Sequence, residues 1–217
     1  MMANRRTLFV CTILLGSFLL FLVQPMVARM ALPRLGGAPN VWNSAMLVYQ
    51  ALLLGGYAYA HALGRVALKK QALVHLAVLL LAAFTLPIAL ADLPPAAPGA
   101  EVVWVPLLFL ATIGPLFFAV SAQAPLMQRW YASDPRAGDP YPLYAASNLG
   151  SFAGLIAYPL VFEPLLPIAL QSAVWAGGFA VLVILVVLTS RALPTVDTPL
   201  GPIQYNEPIV ITRRTGN

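Results

Sequence analysis

The chain has 217 residues, of which 60% are hydrophobic and 9% are charged, and its formal net charge is +5. Soluble domains carry about 25% charged residues, so these charges are too few to cover a surface that faces water. The composition therefore excludes a soluble enzyme or binding module and indicates an integral membrane protein. Nor does the positive charge point to nucleic acid, because no basic patch outside the apolar runs is interleaved with aromatic residues.

Six apolar runs follow in chain order, each near the ~20 residues that a membrane-spanning helix needs. They cover residues 7–27, 41–63, 72–91, 102–122, 144–162 and 167–189. Arg5 and Arg6 precede the first run as basic residues precede the apolar part of a signal peptide. However, the run is long enough to span a membrane, and no small-residue cleavage site precedes a soluble domain. We therefore predict an all-α membrane protein with six transmembrane helices over residues 1–189, followed by a tail over residues 190–217.

The lysines and arginines indicate the orientation of these helices. With the N-terminus inside, all 12 fall on the inner side except Arg29 and Arg34. We expect a multi-pass protein of the bacterial inner membrane with both termini in the cytoplasm.

The tail is expected to be extended or disordered, because prolines and a glycine interrupt it and it is too short to form a core. Its apolar residues suit a strap along a partner protein: Ile203, Tyr205, Ile209, Val210 and Ile211.

Two stretches repeat one pattern. Residues 21–30 read FLVQPMVARM and residues 121–130 read SAQAPLMQRW, so Pro25 precedes Arg29 by the same spacing as Pro125 precedes Arg129. Three predicted helices separate the two copies, so the second copy crosses the membrane in the opposite sense. This arrangement predicts a 3+3 inverted repeat, although proline near a helix end and arginine at an interface also occur together by chance.

Two longer blocks resemble a known family. Residues 18–61, which begin FLLFLVQPMVARMALPRLGG, and residues 139–164, DPYPLYAASNLGSFAGLIAYPLVFEP, are similar to the membrane region of bacterial fused major-facilitator/spermidine-synthase-like proteins. The resemblance implies half of a major-facilitator transporter. Many members also carry an aminopropyltransferase domain, but these 217 residues contain neither a glycine-rich nucleotide loop nor an acidic pair for an amine substrate. We therefore expect no enzymatic activity.

The resemblance also has a departure. Major-facilitator halves commonly carry an acidic residue before Gly-Arg in the loop after the second helix. Gly64 and Arg65 fit that pattern, but His61 stands where the acid belongs.

Several polar or small residues are candidate functional positions. Amides inside a membrane need hydrogen-bond partners, either between helices or from a substrate: Gln24, Asn43, Gln50, Gln123 and Asn148. Gln24 and Gln123 can satisfy carbonyls that Pro25 and Pro125 leave free.

The remaining candidates are histidines, small residues and charges. His61 and His75 flank one inner loop, where two imidazoles either share a metal or a haem or, more commonly, bond to backbone, water or headgroups. Ala146, Gly150 and Gly154 lie on one helix face and favour a close helix contact, inside the bundle or with a partner. Glu163 is expected to pair with Arg29 or Arg34. We expect no cofactor and no metal, since no cluster has metal-ligand spacing.

These features leave three functions open. The first is an accessory or structural subunit of a larger inner-membrane complex, whose polar face is covered by another membrane protein or a second copy. The second is a small-solute transporter built as a dimer of six-helix halves. The third is the membrane anchor of a separate aminopropyltransferase. The only other expected partner is membrane lipid.

Overall fold

The computed structural model describes residues 2–37, 39–135 and 137–193. The fold is all-helical, with 81% of the residues in helices and no strand in the part described. The helices in chain order are α1 (Met2–Leu35), α2 (Pro39–Leu63), α3 (Leu68–Ala83), α4 (Glu101–Ser121), α5 (Gln123–Ala132), α6 (Tyr141–Ala157), α7 (Glu163–Leu165) and α8 (Ile168–Arg191). A π-helical turn, Tyr158–Phe162, joins α6 to α7. The tail from residue 194, with its predicted strap, lies outside the described residues.

Within the described ranges, four helical segments are long and apolar enough to cross a membrane: Arg5–Leu35, Glu101–Ala132, Tyr141–Leu165 and Ile168–Arg191. These segments contain the first, fourth, fifth and sixth predicted runs. The Glu101–Ala132 segment combines α4 and α5, which meet at Ala122. The structure thus supports a membrane protein with helices of spanning length.

The third predicted helix is wrong in its second half. The run over 72–91 was expected to be one helix, but α3 ends at Ala83 and residues 84–100 are irregular. Pro87 lacks a backbone N–H, and a residue before proline is pushed out of the helical region. These effects account for a helix that stops while the sequence is still apolar.

The long helix α1 lies at the centre of the bundle. It packs mainly against α6 and α8, with further contacts to α4 and α5, and touches α2 only slightly. Helix α2 packs on α4, and α3 packs on α4 and α8. The most deeply buried large side chains include Phe9, Phe109, Trp130, Trp175 and Phe179.

The bundle has two ends. Arg5, at the start of α1, contacts Asp134 in the α5–α6 connection, and we call this the Arg5 end. Arg34, at the other end of α1, donates hydrogen bonds to the carbonyl oxygens of Ala91 and Leu93 at 2.9 and 3.1 Å, and we call this the Arg34 end. The predicted inner loops therefore meet at the Arg5 end and the predicted outer loops at the Arg34 end.

Candidate functional site

One side of the bundle carries exposed polar side chains. On α2, four polar residues are exposed on one stripe of the helix: Asn43, Gln50, Tyr57 and His61. The exposed Leu47 and Leu54 lie between them on the same stripe. On α6, Asn148 is exposed. Helices α1 and α4 lie between these stripes, and we call this side the polar face.

The opposite side is apolar. The exposed residues of α3 between Leu73 and Phe84, and those of α8 between Leu170 and Leu188, are all hydrophobic or glycine. Charged residues occur only near the helix ends, at Lys69, Lys70 and Arg191. We call this side the apolar face.

A small cavity of about 40 Å³ lies within the polar face, between α1, α2, α4 and α6. Four serines line it, together with Tyr57: Ser17, Ser121, Ser147 and Ser151. The hydroxyl oxygens of Ser17 and Ser147 are 3.0 Å apart, within hydrogen-bond distance. A site of this size has room for about one water molecule, and its hydroxyls offer hydrogen bonds but no charge.

The two proline motifs differ in their local structure. Pro25 lies inside the continuous α1, whereas Pro125 lies in the first turn of α5. Gln24 donates from Nε2 to the carbonyl oxygen of Leu20 at 3.3 Å. The carbonyl that Pro25 leaves free is that of Phe21, four residues before it, so the prediction for Gln24 is wrong in its acceptor. Nor does Gln123 satisfy a carbonyl of this kind, since its Oε1 lies 2.8 Å from Nε2 of His75.

The two histidines occupy different environments. His61 is exposed on α2, while His75 is fully buried. Besides Gln123, the imidazole of His75 has the rings of Tyr59 and Trp130 as neighbours, with centroids at 6.0 and 6.3 Å. Among the described residues, no three His, Cys, Asp or Glu side chains are grouped as a metal site would require.

Two buried glutamines, which sequence reasoning missed, hold the beginnings of α3 and α8. Gln71 donates from Nε2 to the carbonyl oxygen of Val66 at 2.7 Å and accepts from Trp130 Nε1 at 3.0 Å. Gln171 donates from Nε2 to the carbonyl oxygen of Leu166 at 2.8 Å. Each glutamine thus ties the first turn of its helix to a carbonyl of the preceding connection, and a glutamine at the beginning of each apolar run was the available signal.

The ion pairs cluster at the two ends. The Glu163 prediction is confirmed, since Arg29 Nη1 lies 3.7 Å from Glu163 Oε1 and also donates to its backbone oxygen at 3.1 Å. Arg34 pairs instead with Asp92 at 3.6 Å. The Arg5–Asp134 contact was missed, because Asp134 looked like an ordinary turn residue.

The small-residue face of α6 packs inside the bundle. Added Cβ atoms at Gly150 and Gly154 would collide with the backbone of α1, at the carbonyl oxygens of Leu14 and Phe18. The alternative, that these residues contact a partner, is therefore wrong: α1 already covers them.

Arg129, in the second proline motif, packs against Gly64. Its guanidinium occupies the space that a side chain at position 64 would take.

A larger cavity of about 430 Å³ opens at the Arg34 end. Its polar lining residues are Arg34, Asn40, Glu101 and Trp104. We call it the Arg34-end cavity.

A scan against protein-family models, a search of curated proteins and a search of solved structures each found no match.

Proposed function

We propose that the chain is a non-catalytic membrane protein of six spans that serves as an accessory or structural subunit of a larger inner-membrane complex. One observation carries the proposal: the bundle has an apolar face suited to lipid and a polar face that is not. Lipid cannot hydrogen-bond to Gln50, Asn43 or Asn148, and an unsatisfied polar group in hydrocarbon costs several kcal/mol. A partner that covers the polar face removes this cost.

The two spans beyond the four long segments are α2 and α3. Helix α2 has 25 residues, or about 37 Å, which exceeds the ~30 Å of the hydrocarbon core. Helix α3 has 16 residues, about 24 Å, and the irregular segment after it supplies the remaining length. Irregular backbone at membrane depth needs protein partners. Ser172 Oγ donates to the Ile88 carbonyl oxygen at 2.6 Å, and Thr112 Oγ1 accepts from the Ala91 N–H at 3.1 Å.

The 3+3 inverted repeat is supported first by equivalent helix starts. Gln71 and Gln171 lie a hundred positions apart, and each donates to the carbonyl five residues before it. The residues before the two helices, Ala67 and Pro167, have similar backbone angles, with φ −57° and ψ 145° against φ −64° and ψ 152°. The pattern of buried and exposed positions over 71–84 recurs without change over 171–184.

The helix contacts support the same repeat. Gly154 of α6 approaches the carbonyl oxygen of Phe18 on α1, and Gly56 of α2 approaches the carbonyl oxygen of Phe118 on α4, with 3.0 Å from an added Cβ. Exchanging the first three spans with the last three therefore turns one close contact into the other. A two-fold axis in the membrane plane has this effect.

The remaining parts of the proposal follow from the same residues. The Arg5 end is cytoplasmic, because most lysines and arginines lie in the connections that meet there. The family resemblance of residues 18–61 and 139–164 fits a six-helix half of a transporter-like protein. No catalytic role is assigned to any residue.

In-membrane cross-linking tests the polar face. The natural cysteine, Cys11, is exposed and is first replaced by serine. Gln50→Cys on the polar face and Leu81→Cys on the apolar face are then oxidised in native membranes. We expect Gln50→Cys to form a disulfide with a second copy, or an adduct through a bifunctional thiol–amine reagent with another membrane protein, while Leu81→Cys forms neither. Equal yields at the two sites, or no adduct at Gln50→Cys, would contradict a covered polar face.

A second candidate, a small-solute transporter, is favoured by the position of the cavity among Ser17, Ser121, Ser147 and Ser151. This cavity has room for about one water molecule and would have to widen to pass a solute. It lies where the first spans of the two halves meet, the usual place for a transporter site. Uptake into vesicles by wild type but not by Ser17→Val would support it. Unchanged uptake after Ser17→Val, compared with Ser190→Val outside the cavity, would reject it.

A further inference from the structure

The Arg34-end cavity brings two opposite charges to one opening. Arg34 comes from the last turn of α1, and Glu101 from the first turn of α4. The rest of the lining is mainly apolar: Leu35, Val41, Pro95, Ala96 and Val105. The volume of about 430 Å³ falls within the range of small-molecule sites, about 300–1,000 Å³.

Arg34 is held in place but keeps free donors. Two hydrogen bonds, to the Ala91 and Leu93 carbonyl oxygens, use two of the five N–H groups of a guanidinium. Asp92 lies 3.6 Å away, but its side chain is fully exposed and is well screened by water. The remaining N–H groups can therefore bind an anion in the cavity.

Glu101 stands apart from Arg34. It is exposed, and among the described residues it belongs to no ion pair. Close to it, Trp104 Nε1 donates to the Pro94 carbonyl oxygen at 2.7 Å, which fixes the wall of the cavity. The carboxylate of Glu101 is thus a free acceptor beside an anchored aromatic ring.

At the Arg5 end of the bundle, two opposite charges also come together, but there they are in direct contact. Arg34 lies in the last turn of α1, and Asp134, a hundred positions further on, follows the end of α5. The repeat therefore makes Arg34 and Asp134 equivalent. Arg5 and Glu101 are not equivalent positions, but each lies in the first turn of its helix and brings the opposite charge to the same end of the bundle. Arg5 and Asp134 touch each other, whereas Arg34 and Glu101 line an open cavity.

We propose that the Arg34-end cavity binds a zwitterion, whose ammonium group contacts Glu101 and whose phosphate or carboxylate contacts Arg34 and Asn40. Such a ligand joins the two charges as direct contact joins Arg5 and Asp134. The ethanolamine phosphate group has this chemistry, either free or as the headgroup of a phospholipid. The ligand class rests on the cavity; the comparison of the two ends rests on the proposed repeat.

The test uses the full chain purified in detergent and titrated calorimetrically with phosphoethanolamine, then with inorganic phosphate and with ethanolamine. Phosphoethanolamine is expected to bind at least tenfold more tightly than either single-charge fragment. Glu101→Gln and Arg34→Gln should each weaken it about tenfold, whereas Arg29→Gln and Glu163→Gln, at the same end but outside the cavity, should leave it unchanged. Native mass spectrometry with phosphatidylethanolamine and phosphatidylglycerol, on the same variants, tests the lipid as the source.

Retention of phosphatidylethanolamine that depends on Glu101, without binding of free phosphoethanolamine, supports the proposal with the lipid as ligand. Binding of neither form, or equal loss in the Arg29→Gln control, overturns it, as does equal affinity for inorganic phosphate. Cross-linking through Gln50→Cys is measured in each cavity variant. Intact cross-linking without zwitterion binding rejects the cavity proposal alone, and binding without cross-linking rejects the subunit proposal alone.

Discussion

The apolar and polar faces of the bundle differ in where their helices place polar side chains. On α3 and α8, five polar uncharged side chains are buried: Gln71, His75, Gln171, Ser172 and Thr189. On α2, Asn43 and Gln50 remain exposed outside the bundle. The difference teaches that the two surfaces are separated by the placement of a few amides together with mean hydropathy, which is 2.3 over the span of α8 and 1.3 over the span that contains α6.

The largest expected effect comes from placing a charge on the apolar face. Val181 is half-exposed in the middle of α8, so Val181→Arg should lower insertion or stability by about 2.5–3.5 kcal/mol, the cost of arginine at the centre of a membrane helix. Gln50→Arg on the polar face should cost less. Yields of folded protein in membranes measure both, and equal losses would erase the distinction between the faces.

Alanine substitutions of two glycines test the comparison between a position packed inside the bundle and one on the apolar face. Gly150→Ala places a methyl group against the α1 backbone at the Leu14 carbonyl, and overpacking of this kind typically costs about 1–3 kcal/mol. Gly177 on the apolar face has no atom within 4 Å of an added Cβ. Gly177→Ala should therefore be neutral, or stabilising by up to about 1 kcal/mol, through helix propensity. Thermal unfolding in detergent compares the two, and a tolerated Gly150→Ala would contradict the close α1–α6 contact.

The two equivalent glutamines should differ in a predictable way. Gln71→Leu leaves the Nε1–H of Trp130 buried without a partner, at a cost of about 1–3 kcal/mol. Gln171→Leu should cost less, since Oε1 of Gln171 is itself buried without a hydrogen-bond partner in the described part of the chain. Unfolding midpoints of both variants give the difference; a larger loss for Gln171→Leu would show that the two halves are stabilised differently from what these contacts indicate.

The smallest effect is expected at the surface pair. Glu163→Gln removes a partly exposed ion pair with Arg29, worth about 0–1 kcal/mol. The hydrogen bond from Arg29 to the backbone of Glu163 survives the substitution. A loss above about 2 kcal/mol, measured by thermal unfolding against Asp92→Asn at the same end, would mean that this pair organises the π-helical turn.

Sequence reasoning identified the all-helical class, four segments of spanning length out of the six predicted, and the Arg29–Glu163 pair, because hydrophobic run length and charge position are local signals. It missed the end of α3, where Pro87 overrides an apolar run. The amide of Gln24 bonds to the Leu20 carbonyl rather than to the carbonyl that Pro25 leaves free. Gln123 bonds to His75, from a helix distant in sequence. Neither this bond nor the Arg5–Asp134 contact is readable from spacing, because both depend on how the helices pack. Sequence reasoning likewise left open whether Gly150 and Gly154 contact a helix of the same chain or a partner, because the answer depends on where α1 packs.

The position of α1 also has a consequence for the order of assembly. Its chief neighbour is α6, and the hydrogen-bonded hydroxyls of Ser17 and Ser147 are 130 residues apart in the chain. At synthesis rates of ~5–20 residues per second, roughly 6 to 26 s separate the emergence of the two serines from the ribosome. During that interval α1 is in the membrane without its main packing surface, and α2, the next helix made, offers it little contact. Newly made α1 therefore needs a temporary neighbour, from lipid or from the insertion machinery, until the second half of the chain arrives.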